Sequence, residues 1–226
     1  MIYNNVKKGI FLERPNRFIA YVEIEGKKEV VHVKNTGRCR ELLIPGTTVF
    51  VQECDNPNRK TKYDLITVCK GEQLYNIDSQ APNKVFAEWI LKSKYFGDVN
   101  VLKPECRYDD SRFDFYIEAE ERKIFIEVKG VTLEEDGVLM FPDAPTQRGV
   151  KHIKELCKCV EEGYDAYVAF IIQTEKVKYF TPNAHTHPEF AEALKVSKDK
   201  GVNILALNCF VTDNSLDINT FVPIIL

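Results

Sequence analysis

The 226-residue chain has no apolar run long enough to cross a bilayer, and its opening stretch, MIYNNVKKGIFLERPNRF, has no apolar block after its lysines. Neither a membrane span nor a secretory leader is therefore expected. There is no CxxC pair among the seven cysteines, at 39, 54, 69, 106, 157, 159 and 209. That disfavours a paired-thiolate metal site or a disulfide framework and points to a reducing cytoplasm. Cys157 and Cys159 stand two apart on a predicted helix and diverge, which leaves them as structural thiols. Tryptophan occurs once, too little for a sugar-stacking cleft. No repeat or low-complexity tract interrupts the chain, so solenoids and disordered linkers are excluded. Net charge is only −3, which gives no global attraction to a polyanion. The charge is uneven, however: residues 1–83 hold 13 Lys+Arg against 10 Asp+Glu, and the remainder holds 18 against 24.

What is present divides near residue 81. Before it, short alternating segments are separated by turn signals: RFIAYVEI, EVVHV, VFVQEC and YDLITVC, with EGKK, NTGR, IPGTT and DNPNRKTK between them. Such spacing over residues 1–81 predicts a small closed β-barrel of the five-stranded oligonucleotide-binding kind. After it, NKVFAEWILKSKYF has helical spacing in Val85, Phe86, Trp89, Ile90 and Phe96, with Asn83 as the expected N-cap. A strand or two near 99–108, a hairpin over 112–129 and a loop, EEDGVLMFPDAPTQRG, follow. A helix over about 147–162 carries Val150, Ile153, Leu156, Cys157 and Val160 on one stripe, with Gly163 as its stop. The apolar run AYVAFIIQ, the helix PEFAEALKVSKDKG and the strand VNILALNCFV complete an α/β region, 82–226, with a mixed sheet covered by helices.

The hairpin RFDFYIEAEERKIFIEVK raises a physical problem, because an acid interrupts each of two apolar strands. With a two- or four-residue loop, Phe113 pairs with Val128, Phe115 with Ile126 and Ile117 with Ile124, an all-apolar face. The same register sets Asp114 across from Glu127 and Arg112 across from Lys129. Opposed like charges with Cβ atoms about 4.5–5.5 Å apart destabilise a sheet. A hard divalent cation such as Mg²⁺ between the two carboxylates would remove that penalty, and Lys129 would then orient an attacking water or balance charge growing on a phosphate. The alternative is a solvated face on which Arg112 and Lys129 pair diagonally with the acids. The helix near 147 begins with Arg148, Lys151 and His152, cations that oppose the helix dipole unless an anion is present. A phosphate would be held there by free backbone N–H groups and those side chains; otherwise the turn is a solvated basic face.

The segments NRF, HVKNTGR, ELLIPG, NPNRKTKYDL, SRFDF, EVKGVTL and FPDAPTQRGVKHIKEL resemble the sugar fermentation stimulation protein A family, over about residues 9–223. The resemblance implies an OB-fold-like barrel followed by a PD-(D/E)xK restriction-endonuclease-like domain, and a DNA-binding protein linked to sugar metabolism. Carried onto this chain, the nuclease pattern assigns Asp114, Glu127 and Lys129 as catalytic residues, with Glu88 as the acid from the first helix and Glu105 as a weaker alternative. Asp114, Glu127 and the Val128 carbonyl would hold Mg²⁺ or Mn²⁺. The literal PD dipeptide is replaced by Phe113–Asp114. Nucleases of this kind are often dimers, so a homodimer is also implied, although no stripe in the sequence marks a partner surface.

Arg38 and Arg40 in one barrel loop, and Arg59, Lys60 and Lys62 in another, suit a phosphate backbone. Tyr21 and Tyr63 would stack bases if exposed, whereas Phe18 is expected in the core. His32 reads as structural, and the HTH at 185–187 as a solvated loop. Three functions are compatible with these residues: a metal-dependent DNA phosphodiesterase, a DNA-binding regulator that does not cleave, and a retaining glycosidase. The last is disfavoured because Lys129 would keep Glu127 ionised, whereas a general acid needs a raised pKa.

Overall fold

Period-two alternation in the first third becomes six strands: β1 (Val6–Asn16), β2 (Ile19–Ile24), β3 (Lys27–Val33), β4 (Thr48–Glu53), β5 (Tyr63–Lys70) and β6 (Gln73–Asn76). In the computed structural model, which describes residues 1–35, 37–56 and 58–226, these strands run in the order β3-β2-β1-β4-β5-β6. Thr36 and Pro57, in the NTGR turn and the DNPNRKTK loop, lie outside the described residues. β3 also pairs with β5 in parallel, Val31 opposite Tyr63, which closes β1–β5 into the expected five-stranded barrel and removes its free edges. Phe11, Val22, Val31, Val49, Val51 and Leu65 fill it.

The remainder contains α1 (Ala81–Ser93), β7 (Val99–Tyr108), β8 (Ser111–Ala119), β9 (Arg122–Val131), β10 (Leu133–Glu135), β11 (Val138–Phe141), α2 (Gln147–Glu161), β12 (Asp165–Ile172), β13 (Tyr179–Pro182), α3 (Pro188–Asp199), β14 (Asn203–Val211) and β15 (Leu216–Phe221). The mixed sheet has the order β15-β14-β12-β9-β8-β7. Its centre is parallel, β9 and β14 flanking β12, and its two edges are antiparallel. One face packs on α1 through Val85, Phe86 and Ile90. The other packs on α2 and α3 through Val150, Ile153, Leu156, Phe190 and Leu194. Helix α2 is capped by Thr146, whose side chain accepts from Gly149 N, and Gly163 follows its end at φ +88°.

Several expectations are corrected here. Gln80, not Asn83, is the N-cap of α1, because Pro82 fits the first turn and starts the helix earlier. The stretch read as a loop holds β10 and β11, strands of only three and four residues; β11 pairs in parallel with β13 across a long sequence separation that no local pattern reports. Phe18 is 51% exposed rather than buried, because it sits in the β1–β2 turn outside the barrel. His187, expected in solvent, is 7% exposed: it occupies the N-cap position of α3, and its ring receives the Thr146 amide on Nδ1 at 3.4 Å. His32 is structural as expected, its ring on Asp64.

A polar seam joins the barrel to the mixed-sheet region. Gln173 donates to Asn76 Oδ1 at 2.8 Å and to the Asp78 carbonyl at 3.0 Å, and its own carbonyl accepts the Asn76 amide at 2.9 Å. Thr174 Oγ1 donates to the Leu74 carbonyl. Lys34 reaches Asp64 and Asp78 at 3.2 and 3.1 Å. These contacts satisfy buried polar groups that would otherwise each cost free energy.

Candidate metal and phosphate site

The hairpin β8–β9 turns at Glu120 and Glu121, and the apolar pairs Phe115–Ile126 and Ile117–Ile124 are in register as expected. Beyond Phe115 the ladder departs from that register. Asp114 Oδ2 accepts the Val128 amide at 2.7 Å, taking a donor that a main-chain carbonyl would otherwise use. Phe113 is not stacked on Val128. It lies in the opposite core, with ring centroids 5.6 Å from Phe125 and 6.2 Å from His152. Arg112 does not face Lys129 but pairs with Glu105 at 2.7 Å. Glu105 has φ +54°, so the pleat of β7 is broken beside the same position.

This local departure brings Asp114 and Glu127 together. Glu127 is 3% exposed. One of its oxygens, Oε1, contacts both Lys129 Nζ and His152 Nδ1; the other, Oε2, is buried with no hydrogen-bond partner. Burial works against ionisation of Glu127, but the hydrogen bond from His152 and the charge of Lys129 outweigh it and hold the carboxyl below its ordinary value. Asp114 goes the other way: burial, then the neighbouring charge of Glu127, raises it, against the Val128 amide and an amide bond from Asn83. Asn83 Nδ2 donates to Asp114 Oδ1 at 2.7 Å. Glu127 thus has ion-pair partners in Lys129 and His152, whereas Asp114 has only the two amide donors and the more distant charge of Lys129.

A chain of side chains leads outward from Glu127. His152 is 4% exposed, and its Nε2 receives Arg148 Nε at 3.4 Å while Nδ1 faces Glu127. That pattern places the proton on Nδ1. Arg148 and His152 line a pocket of about 480 Å³ together with Arg107, Asp110, Ser111, Arg112 and Lys151. Arg148 makes no ion pair among the described residues.

Family profiles described as the sugar fermentation stimulation protein RE domain and the SfsA N-terminal OB domain match residues 80–215 and 12–77. The chain belongs to the sugar fermentation stimulation protein family. It is 60% identical over 226 residues, the whole of both chains, to the homolog of Clostridium beijerinckii. It is 61% identical over 224 residues to that of Desulfitobacterium hafniense, covering 99% of this chain and 98% of the relative. The solved structure of Pyrococcus furiosus SfsA in complex with Ca²⁺ superposes with a TM-score of 0.91 at 31% identity, over 100% of this chain and 98% of that one.

Within this sugar fermentation stimulation protein fold, the residues singled out from sequence part company. Asp114, Glu127, Lys129 and the Val128 backbone come together. Glu88 does not join them: it lies on the Lys84–Lys92 side of α1, pairing with the Met1 amine at 3.0 Å and Lys92 at 3.5 Å. The residue that α1 does bring is Asn83, missed because it was read as a cap. It stands three and seven residues before the buried Phe86 and Ile90, so helical spacing places it on the core face. His152 is a partner of Glu127 rather than a surface phosphate ligand. In the barrel, Arg59 pairs with buried Asp64, and Lys62 pairs with Glu53 at 2.8 Å and lies 5.2 Å from the Tyr63 ring centroid. Tyr63 is buried, and Lys28 covers the Tyr21 ring at 4.0 Å, so neither ring is free to stack. Lys60, Arg38 and Arg40 are exposed.

Proposed function

We propose that the chain is a DNA phosphodiesterase dependent on a divalent ion, Mg²⁺ or Mn²⁺. One observation carries the reading: Glu127 Oε2 is buried without a partner beside a second, unpaired carboxylate, Asp114. Natural proteins rarely leave such an atom unsatisfied. Among the described residues no three His, Cys, Asp or Glu side chains form a ready ligand cage. Two carboxylates and the Val128 carbonyl nevertheless suit Mg²⁺, which keeps several waters and takes oxygens from substrate phosphate. The Ca²⁺ complex of the Pyrococcus furiosus relative supports a divalent ion in this family. When bound, the ion would polarise the phosphate and acidify an attacking water.

The chain's own residues supply the rest. Asn83 and the Val128 amide fix the orientation of Asp114. His152 holds Glu127 Oε1 so that Oε2 is left for the ion. Lys129 stands beside Glu127, where it can orient the nucleophile or balance charge on the phosphate. Arg148 and Arg107, which make no ion pair among the described residues, offer cations for the flanking backbone in a pocket where Glu105 holds Arg112 and Glu155 holds Lys151. No helix among the described residues is long and apolar enough to cross a membrane. The seven free cysteines suit a reducing, cytoplasmic setting.

A non-cleaving DNA-binding regulator is the second reading, favoured by the ion pair of Lys129 with Glu127, which neutralises that acid without an ion. A cleavage assay separates the two. Duplex, single-stranded and branched DNA are incubated with wild type and Asp114→Asn under Mg²⁺ or Mn²⁺ titration. The enzyme reading expects at least one DNA form to be cut, with cutting abolished in the variant. Wild-type protein that cuts none of them under either ion would leave only the regulator.

A further inference from the structure

The barrel carries a cationic groove that joins one of the two basic loops read from sequence, that of Arg38 and Arg40, to the β1–β2 turn. A groove of about 450 Å³ runs between the β1–β2 turn and the β3–β4 loop, lined by Arg14, Asn16, Arg17, Arg38, Arg40 and Leu43 among others. Arg14 is its strut. Its two terminal nitrogens donate to the carbonyls of Gly37 at 2.9 Å, Arg38 at 3.0 Å, Arg17 at 2.7 Å and Asn35 at 2.7 Å. One guanidinium thereby fixes both walls and leaves the other three arginines exposed. Among the described residues, none of Arg17, Arg38 and Arg40 makes an ion pair, and Glu13, the acid on this surface, is already engaged by Lys28 at 3.1 Å. Three exposed guanidiniums without an ion-pair partner on a pre-organised wall suit the oxygens of a phosphate backbone.

Beside Arg17 stands Phe18. Its backbone is held on both sides, the amide on Asn16 Oδ1 at 2.9 Å and the carbonyl by the Val33 amide at 2.8 Å, yet its ring is 51% exposed. A fixed, exposed aromatic next to phosphate-binding arginines is the pairing that captures unpaired bases, whereas paired bases hide their faces inside the stack. The groove also has a direction. Gly37, on its wall, equally lines a cleft of about 170 Å³ whose far side includes Gly130 and Thr132, and Gly130 directly follows Lys129. Asp143, the acid in that cleft, accepts the Arg38 amide at 3.2 Å.

We infer that the arginine groove and Phe18 bind an unpaired DNA arm that continues through the Gly37 cleft toward the Asp114–Glu127 site. The substrate class for the proposed phosphodiesterase, on which this inference rests, is therefore duplex DNA bearing a single-stranded arm.

The test uses the full chain in EDTA, so that binding is read without cleavage. Fluorescence anisotropy compares a blunt duplex, a dT oligonucleotide of about 16 nucleotides and the duplex carrying that dT arm. The armed duplex should bind more tightly than the blunt one. Phe18→Ala should weaken the armed duplex and the oligonucleotide about tenfold and leave the blunt duplex unchanged. Arg38→Ala with Arg40→Ala should flatten the salt slope for the oligonucleotide by about 1.4, two phosphate contacts at about 0.7 each. Equal affinity for armed and blunt duplex, or an equal loss on both with Phe18→Ala, overturns the inference. Asp114→Asn should keep the arm preference, so loss of cleavage and loss of arm binding are read apart.

Discussion

Asn83 Nδ2 donates to Asp114 Oδ1 at 2.7 Å, so the first helix reaches the carboxylate site through an amide rather than an acid. Asn83→Ala should weaken Mn²⁺ binding about 10–100-fold, the range for groups that orient metal ligands. Glu88→Ala, on the opposite side of α1, should leave it unchanged. Isothermal titration of both variants decides between the two residues, and a loss confined to Glu88→Ala would restore the acid as the helix's contribution.

His152 and Arg148 are neighbours with different expected roles. His152→Ala frees Glu127 Oε1 from its ring partner and should weaken Mn²⁺ about 10–100-fold, while DNA affinity in EDTA holds. Arg148→Ala should weaken DNA and lower the salt slope by about 1. If His152→Ala instead lowers DNA affinity and spares Mn²⁺, the histidine is a phosphate ligand after all.

The barrel should be acid-sensitive through Asp64. Burial opposes its ionisation, but Arg59 and Lys34 lower its pKa below the ordinary 3.8. A depressed folded-state pKa stabilises the fold fully above the unfolded value, and the contribution fades as pH falls through the folded one. The urea midpoint of wild type should therefore begin to drop as pH falls below the ordinary carboxylate value of about 4, and keep dropping through the depressed folded value. Asp64→Asn, less stable at neutral pH because Arg59 and Lys34 lose their anion, should show a shallower drop. An unchanged slope would place the acid sensitivity elsewhere.

Gly130 has no room for a side chain. A Cβ there would lie 2.8 Å from both Pro82 Cγ and Gln173 Oε1. Gly130→Ala should destabilise by about 1–3 kcal/mol, as overpacking does, and should also weaken Mn²⁺, because β9 carries Glu127 and Lys129. Thermal melts with and without Mn²⁺ check both effects.

Much of this was legible because the sheet imposes a strict period. The all-apolar pairs Phe115–Ile126 and Ile117–Ile124 fixed the hairpin register, and the stripe from Val150 to Cys157 fixed the face of α2. The reading failed where the period is broken. At Asp114 a side chain replaces a strand partner, so Phe113 turns to the other core, and the pleat cannot report that. A sequence also does not show which cations are paired: Arg59 is neutralised by Asp64, brought beside it only by the fold, whereas Arg14 becomes a strut only once the loop carbonyls surround it. The short strands β10, β11 and β13 are held by pairings distant in sequence, which local composition does not carry.

The seam at Gln173 bears on where a cut would fall. Its side chain ties residues 76 and 78 of the barrel connection to the strand end beside Gly130, so that segment is bolted rather than hinged. For an enzyme acting as proposed, arm groove and carboxylates then keep a constant separation. Incisions would cluster at one nucleotide offset from the branch point, whatever the length of the overhang: the protein would be a ruler.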